Sequence, residues 1–370
     1  MIQEKRLVDQ FADYVAIDSP SLHERQLADI IKRQLEQMGF SVSEDKAGEA
    51  IGGDCGNVYA LLPGSLDLPP ILFSGHFDTV EPSRGKRAVV HDNGLITSGG
   101  DTVLGADDLA ALTAILEAIR SLQEEGKPHR PVELLITVAE EKHLLGSRHL
   151  EPERLTAREA YVLDTDGEPG LAINRAPGNI NMVFKIRGKA AHAGMKPEEG
   201  ISAITVAAKG IAAMRLGRLD DETTANIGEI KGGQATNIVA EHCIVTSECR
   251  SQTWDKMKEQ ADHMCDCMRQ AADELGAELE IERVVSYYPY SVEAESPVLV
   301  RFQKACGELG LPFKTMGGGG GSDNNELVRH GIEGLVLATG MRNCHSTQEQ
   351  IETKHLVQMA NLVEKLILLP

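Results

Sequence analysis

The pattern of apolar and polar positions alternates between two periods along the first part of the chain. Apolar positions at helical spacing predict helices, and short apolar runs between them predict strands. The predicted helices cover residues 3–16, 22–38 and 106–122. The predicted strands cover residues 57–62, 71–73, 132–138 and 160–163. Strands that alternate with helices indicate an α/β fold with a mostly parallel sheet covered by helices.

The pattern changes near Pro177-Gly178 and changes back after Tyr290. Between these points the predicted order is strand, helix, strand, strand, helix, strand, at residues 180–187, 200–215, 223–230, 242–249, 253–275 and 279–287. This is the order of the ferredoxin-like α+β plan. The α/β pattern then resumes, with a helix at 297–309, a strand at 334–338 and a helix at 353–368. We therefore predict one domain formed by residues 1–177 and 291–370, interrupted by a smaller inserted domain at 178–290.

The charge balance of the chain excludes some classes of partner. The chain has 370 residues, with 56 Asp and Glu, 37 Lys and Arg, and a net charge of −19. Nucleic acid and anionic lipid both attract basic surfaces, so we expect neither nucleic acid nor a membrane as a partner. No signal-peptide core follows Met1, and no apolar run reaches the about 20 residues of a membrane span. The seven cysteines are odd in number and scattered, which is typical of reduced thiols in a cytoplasmic protein.

Side chains that can bind a metal follow several of the predicted strands. They are His76, Asp78, Glu140, Glu141, Asp164 and, after a short loop, His345. Asp107 and Asp108 begin the helix that follows Gly105, where the positive helix end favours carboxylates. In open α/β sheets ligands bind beyond the carboxyl ends of the strands. Residues that are dispersed in sequence are therefore expected to gather at one edge of the sheet.

The chemistry of this set favours two metal ions over one. Imidazole and carboxylate ligands together suit zinc, and a larger carboxylate share also suits manganese or cobalt. Five ligands are too many for one tetrahedral ion that also holds water, but they suit two ions about 3.5–4 Å apart with a bridging carboxylate. A single Glu-Glu or Asp-Asp pair is more often a solvated face or a helix cap. Three choices stay open from the residues alone: Glu140 or Glu141, Asp107 or Asp108, and Asp164 or Asp166.

Seven short stretches together resemble the motifs of one enzyme family. In the main domain they are Ser74-Gly75-His76-Phe77-Asp78-Thr79-Val80, Leu104-Gly105-Ala106-Asp107-Asp108, Thr137-Val138-Ala139-Glu140-Glu141, Val162-Leu163-Asp164 and Asn343-Cys344-His345-Ser346. In the inserted domain they are Ala191-His192-Ala193-Gly194 and Gly232-Gly233-Gln234-Ala235-Thr236-Asn237-Ile238. The chain resembles the co-catalytic zinc peptidases, which include tripeptidase T, glutamate carboxypeptidase, aminoacylase and succinyl-diaminopimelate desuccinylase. The stretch from Leu104 to Asp108 makes the tripeptidase T-like branch the nearest.

The resemblance implies how the ligands divide between two divalent ions, with zinc expected and cobalt or manganese as alternatives. One ion would be held by His76, Asp107 and Asp164. The other would be held by Asp107, Glu141 and His345, so that Asp107 bridges the pair.

The resemblance also implies an activity. The chain would be a metal-dependent hydrolase that cleaves amide bonds of short peptides, with a metal-bridged water as the nucleophile. Glu140 would be the general base, and Asp78 would orient His76, because a carboxylate partner fixes a ligating imidazole. The inserted domain would serve as a lid and as the interface of a homodimer.

Besides Glu140 and Asp78, four further residues of the candidate site lie outside the metal set. By resemblance, His192 would reach toward the substrate oxyanion from the second subunit, and Asn237 and Arg250 would contact the substrate backbone or its carboxylate. The alternative for His192 is a histidine on a surface loop, and the alternative for Arg250 is a salt bridge at the end of a strand. The run Gly317 to Gly321 lacks the Gly-Lys-Ser/Thr ending of a phosphate loop, and Gly319 would bind a substrate carboxylate unless the run is only a turn.

Three readings of the function remain in view. The first is a tripeptide aminopeptidase-like enzyme, and the second is an N-acyl amino acid deacylase or carboxypeptidase of the same family. These two hypotheses differ in whether the enzyme recognises the free amine or the free carboxylate of the substrate. The third is a non-catalytic binding module, which is disfavoured because every ligand position and Glu140 are present. A serine hydrolase is excluded by the lack of a Gly-x-Ser-x-Gly elbow.

Overall fold

The computed structural model describes residues 1–370, and the chain divides into two structural units. The first unit comprises Met1–Arg175, Ser291–Gly318 and Ser322–Pro370. The second comprises Ala176–Tyr290 and Gly319–Gly321. The lid and dimerisation roles expected for the inserted segment stay predictions.

The helices and strands are numbered in chain order. The helices are α1 (Glu4–Val15), α2 (Arg25–Gln37), α3 (Ala47–Ile51), α4 (Ala106–Glu125), α5 (Ala203–Ala213), α6 (Trp254–Leu275), α7 (Pro297–Leu309), α8 (Asp323–Arg329) and α9 (Thr353–Leu368). The strands are β1 (Ser41–Glu44), β2 (Val58–Leu62), β3 (Ile71–His76), β4 (Ala88–Val90), β5 (Leu95–Ser98), β6 (Val132–Thr137), β7 (Glu159–Thr165), β8 (Leu171–Ala176), β9 (Gly178–Arg187), β10 (Gly217–Arg218), β11 (Thr223–Gly232), β12 (His242–Ser251), β13 (Glu278–Tyr287), β14 (Tyr290–Ser291), β15 (Lys314–Gly317), β16 (Glu333–Ala338) and β17 (Gln350–Glu352).

The large sheet of the first unit has a parallel centre. Its strands follow the order β1-β2-β6-β3-β7-β16-β8, and β15 also pairs with β8. The contacts β6-β3, β3-β7 and β7-β16 are parallel, whereas β1-β2, β2-β6 and β16-β8 are antiparallel. Strands β3 and β6 are buried along their whole length, as expected for strands covered on both faces. The predicted α/β class with a mostly parallel sheet is confirmed.

The second unit is an antiparallel sheet with two helices. Its strands follow the order β10-β11-β12-β9-β13, and helices α5 and α6 pack against each other and against β9 and β12. Buried and less buried positions alternate along β12, so one face of the sheet forms the core. Phe184, Val245 and Met264 are fully buried in that core. Apart from the two-residue strand β10, which the sequence did not predict, the element order is the ferredoxin-like order predicted from the sequence.

Several short elements were not predicted, because they are too short or too polar for a periodic signal. A three-stranded sheet of β17, β5 and β4 is one example.

Helix α2 begins at Arg25 and not at residue 22, because Leu22 has a left-handed φ of 76° and its N–H donates to the carboxylate of Glu24 at 2.8 Å. No helix is both long and apolar enough to cross a membrane.

Candidate metal centre

Imidazoles and carboxylates from four strands and one helix meet at the carboxyl edge of the large sheet. His76 ends β3, Glu140 and Glu141 follow β6, Asp164 lies near the end of β7, His345 follows β16, and Asp107 lies in the first turn of α4. Ligand atoms of His76, Asp107 and Glu141 lie within 4.8 Å of one another, and so do those of His76, Glu140 and Asp164. The predicted metal ligands are therefore brought together, although they span most of the chain.

Asp107 lies between the two histidines. Its Oδ1 is 3.1 Å from Nε2 of His76, and its Oδ2 is 3.2 Å from Nε2 of His345. Each carboxylate oxygen thus faces a different imidazole, which is the arrangement that a carboxylate shared by two ions requires. The residues alone could not decide between Asp107 and Asp108, and this geometry favours Asp107.

Asp108 contacts the backbone of β3 and forms no hydrogen bond with a histidine side chain. It is fully buried, and its Oδ2 accepts the backbone N–H of His76 at 3.2 Å. A Cβ at Gly75 would come within 2.5 Å of the same oxygen. Only glycine leaves room for this carboxylate, which gives Gly75 of the Ser-Gly-His stretch a physical reason.

The two histidines differ strongly in exposure. The His76 side chain is 1% exposed and lies 3.8 Å from Oδ1 of Asp164, whereas the His345 side chain is 55% exposed. Nε2 of His345 lies 3.0 Å from Oε1 of Glu141. Asp166 is exposed and belongs to neither group, so the geometry favours Asp164 over it. The site therefore has an inner part around His76 and Asp164 and an outer part around His345 and Glu141.

Glu140 lies inside the cluster without a histidine partner. It is buried, and its carboxylate forms no hydrogen bond with His76 or His345, although it groups with His76 and Asp164. Glu141, in contrast, is tied to His345. A carboxylate without a histidine partner is available to exchange protons, so this difference agrees with Glu140 as the base and Glu141 as a ligand.

Asp78 supports more of the site than the sequence predicted. Nδ1 of His76 lies 2.9 Å from the backbone oxygen of Asp78 and 3.4 Å from its Oδ1. The Asp78 carboxylate also accepts the N–H of Glu140 at 2.9 Å, the N–H of Glu141 at 3.2 Å and the hydroxyl of Ser21 at 2.7 Å. Asp78 therefore contacts both the imidazole and the backbone of the Glu-Glu pair.

The electrostatics of the cluster favour cations. Burial lowers the pKa of His76, but hydrogen bonds with Asp107 and Asp164 outweigh burial and raise that pKa well above its ordinary value. Burial raises the pKa of Asp164 to about 7 and that of Glu140 well above its ordinary value. Crowded carboxylates thus retain protons when no other cation balances them. Two imidazoles and several carboxylates with this distribution fit two divalent ions.

We expect metal binding to strengthen as the pH rises. Hydrogen bonds with Asp107 and Glu141 raise the pKa of His345 from 6.5 to about 10 in the metal-free chain. A ligating imidazole must be neutral, so an ion bound below that pH displaces a proton. Each displaced proton increases the apparent affinity about tenfold per pH unit, up to about pH 10. Calorimetric zinc titrations in buffers of different ionisation enthalpy measure this proton release, and an affinity independent of pH would contradict it.

The same ion pairs make the metal-free protein sensitive to pH in the opposite direction. Because the pKa of His345 is higher in the folded chain than its ordinary 6.5, its contribution to stability is complete below pH 6.5 and is lost as the pH approaches about 10. Thermal unfolding of the chelated protein across this window measures the loss. The His345→Gln variant should lack this component and serves as the control.

Two buried glutamates that the sequence did not single out support the site through backbone hydrogen bonds. Glu349 accepts the N–H of Gly105 at 2.7 Å and of Asp107 at 2.9 Å. Glu24 accepts the N–H of Ala139 at 3.0 Å, directly before the Glu-Glu pair. Their partners are backbone atoms, which leave no side-chain signal in the sequence. The position of Glu349 four residues after His345 is the only available hint.

Glu24 also belongs to a third group of possible ligands, with Asp54 and Cys55. Asp54 is already used, because its Oδ1 accepts the N–H of Arg25 at 3.0 Å at the start of α2. The Arg25 guanidinium donates to the backbone oxygen of Asp54 at 2.9 and 3.0 Å. The Arg25 guanidinium beside this group disfavours a metal ion. We therefore assign these residues a structural role at the start of α2.

The predicted substrate-binding residues lie in the second unit, in two places. His192 and Asn237 are exposed neighbours, because Ala193 N–H donates to the Asn237 backbone oxygen at 3.0 Å. Nη1 of Arg250 lies 3.4 Å from the backbone oxygen of Gly319, and its guanidinium also pairs with Glu248 at 3.0 and 3.1 Å. The salt bridge considered for Arg250 is thus present, and it leaves Nη1 directed at the glycine run.

A family model described as peptidase family M20/M25/M40 matches residues 72–369. The chain belongs to this family of peptidases, which confirms the resemblance found in the sequence motifs.

Two solved structures and one curated relative are similar to this chain over nearly its whole length. The aminopeptidase PepT from Bacillus cereus is 40% identical, with a TM-score of 0.93 over 99% of this chain and 98% of that chain. A tripeptidase from Staphylococcus aureus is 37% identical, with a TM-score of 0.95 over 99% and 98%. The uncharacterized protein YqjE from Bacillus subtilis is 40% identical over 99% of both chains.

Proposed function

We propose that the chain is a tripeptide aminopeptidase-like metallopeptidase that removes the N-terminal residue of short peptides. The observation that carries the proposal is the Asp107 carboxylate, whose two oxygens face His76 and His345 separately at 3.1 and 3.2 Å. The names of two relatives at 40% and 37% identity, an aminopeptidase and a tripeptidase, support the substrate class.

Two divalent ions are proposed for this cluster. His76, Asp107 and Asp164 would hold one, and Asp107, Glu141 and His345 would hold the other. The mixed imidazole and carboxylate set supports zinc, with cobalt and manganese as alternatives. When bound, the ions would supply Lewis acidity, which makes a water more acidic and polarises the substrate carbonyl.

The protein groups would manage the proton. Glu140, the carboxylate without a histidine partner, accepts a proton from the attacking water and delivers it to the departing amine nitrogen. Asp78 keeps Glu140 oriented through the bond from the Glu140 N–H to its Oδ1 at 2.9 Å. Burial of Glu140 favours this role, because it raises the pKa of the carboxyl well above its ordinary value and so makes the carboxylate a stronger base.

The second unit is proposed to recognise the substrate. Arg250 and the backbone at Gly319 offer a cation and N–H groups for a peptide carboxylate. Asn237 would contact the substrate backbone, and His192 would stabilise the oxyanion from the second subunit of a homodimer. The free thiols of all seven cysteines support a cytoplasmic location.

The test combines metal analysis with a substrate panel. Purified protein is expected to contain two divalent ions per chain and to cleave tripeptides with a free amine, with activity lost on chelation and restored by zinc. Matched N-acetylated tripeptides should resist cleavage. Cleavage only of acylated or carboxylate-tagged substrates would instead support the deacylase or carboxypeptidase reading. A chain that neither binds metal nor cleaves any substrate, even after metal is added, would be a binding module.

A further inference from the structure

The buried Glu349 joins two loops that carry proposed metal ligands. It is 1% exposed, and both of its carboxylate oxygens are used. Oε2 accepts the N–H of Gly105 at 2.7 Å, and Oε1 accepts the N–H of Asp107 at 2.9 Å. These partners lie 244 and 242 residues away in the chain, so the contact is purely tertiary.

The backbone on both sides of this contact departs from regular structure. Asp107 has φ −81° and ψ 101°, which are not helical values, although it lies in the first turn of α4. On the other side, His345 has a left-handed φ of 60°. The N–H of Glu349 donates to Ser346 at 3.1 Å, which closes the loop after His345. Neither helix nor sheet hydrogen bonds therefore set the distance between Asp107 and His345.

The two parts of the site depend differently on this contact. His76 belongs to β3, is 1% exposed, and has Nδ1 held at 2.9 Å from the Asp78 backbone oxygen. His345 lies on an exposed loop, and its Nε2 contacts only Asp107 and Glu141. His76 and Asp164 are thus fixed by strands of the sheet, whereas Asp107 and His345 lie outside the strands and need a separate support.

We propose that Glu349 is a positioning residue that sets Asp107 against His345 and thereby determines the affinity of the outer ion. This inference rests on the proposed function, since it assumes two ions at the cluster. The chemistry is that of carboxylates that orient metal ligands from outside the coordination sphere, whose loss typically lowers metal affinity about 10–100-fold. Here the oriented group is the backbone of the bridging residue, so no side chain of the ligand itself is contacted.

The matched control is Glu133 on β6 of the same unit. It is 3% exposed, and its carboxylate accepts the N–H of Thr156 and of Ala157, each at 3.0 Å. Glu133→Ala therefore removes the same kind of buried acceptor for two backbone N–H groups. It contacts none of the proposed ligands.

The experiment follows zinc release from the wild-type protein and from Glu349→Ala, Glu349→Gln and Glu133→Ala. Zinc affinities are obtained by competition with a chromophoric chelator, and the cobalt-substituted proteins are compared by visible absorption. In Glu349→Ala the affinity for the more weakly bound ion, which we assign to the outer ligands, should fall about 10–100-fold. The affinity for the more tightly bound ion should change less. Glu349→Gln should recover part of the affinity, because one amide oxygen can still accept one N–H. Glu133→Ala should keep both affinities, even where its thermal stability falls.

The outcomes separate this inference from the proposed function. If the wild type binds two ions and Glu349→Ala binds both within about twofold of it, the positioning role is wrong while the peptidase proposal stands. Equal loss of the weaker ion in Glu133→Ala would also overturn the role, since general destabilisation would then explain it. If Glu349→Ala does not fold, the comparison is made between Glu349→Gln and Glu133→Gln. A wild type without metal overturns the proposed function itself, and this inference with it.

Discussion

Glu140→Ala is expected to lose about 10²- to 10⁴-fold in kcat while both metal ions remain bound. The carboxylate of Glu140 forms no hydrogen bond with His76 or His345, so its removal takes away a proton acceptor and leaves the tie between Glu141 and His345 intact. Steady-state kinetics on a tripeptide and elemental analysis of the same preparation measure the two quantities together.

The neighbouring residue provides the control. Glu141→Ala should lose the outer ion, because Oε1 of Glu141 lies 3.0 Å from Nε2 of His345. Glu140→Gln keeps the size of the side chain and should be as inactive as the alanine variant. Loss of metal with turnover retained in Glu140→Ala would mean that the two glutamates have exchanged roles.

A mixing experiment extends the result to the proposed homodimer. His192→Ala should have low turnover with normal metal content, because His192 belongs to the second unit and all the proposed metal ligands belong to the first. When His192→Ala and Glu140→Ala are mixed and allowed to exchange subunits, one of the two sites in each hybrid dimer would contain both intact residues. Activity should therefore reappear. Hybrid dimers that form without regaining activity would exclude a site shared between subunits.

Asp107→Asn is expected to weaken both ions, and Asp108→Asn is expected to spare both. Each Asp107 oxygen faces one histidine, so loss of the Asp107 charge should lower both metal affinities. The decrease should exceed the about 10–100-fold that is typical when a residue that only orients a ligand is removed. In Asp108→Asn the amide oxygen can still accept the N–H of His76, which Asp108 Oδ2 accepts at 3.2 Å. Zinc competition measures both variants.

The Asp108 variant should still lose stability. Asp108 Oδ1 is buried without a hydrogen-bond partner, so an amide NH2 in its place would be an unpaired donor, at a cost of about 1–3 kcal/mol. Thermal unfolding of the metal-free proteins separates this effect from metal binding. If Asp108→Asn loses the ions and Asp107→Asn keeps them, Asp108 is the bridge.

The sequence predicted the edge of the sheet at which the chemistry lies, because several site residues lie at the end of an apolar run or just after it. His76 at the end of β3 and Glu140 after β6 are of this kind, and parallel strands bring such positions to one edge. The choice of Asp107 over Asp108 rested on the family resemblance, because the residues alone could not decide it. Helical periodicity assigns a direction to each side chain, but Asp107 and Asp108 both lie outside helical φ and ψ.

The supporting roles of Glu24 and Glu349 could not be predicted from the sequence either. Glu24 and Glu349 act on backbone N–H groups, and every residue except proline has one. Nothing in the identity of Ala139 or Gly105 marks it as the partner of a distant carboxylate. Such contacts depend on how loops meet in space, which the order of strands and helices does not specify.

The position of β16 in the large sheet has a consequence for synthesis on the ribosome. This strand, Glu333–Ala338, lies between β7 and β8, although both of those strands are complete by residue 176. At about 5–20 residues per second, roughly 8–34 s separate the emergence of Thr165 from that of Glu333. During this interval the edge of β7 has no neighbour on that side, and His345 has not yet been made. The proposed outer metal site therefore cannot be complete during this interval, and the nascent chain must keep an apolar strand edge from aggregating until its last segment arrives.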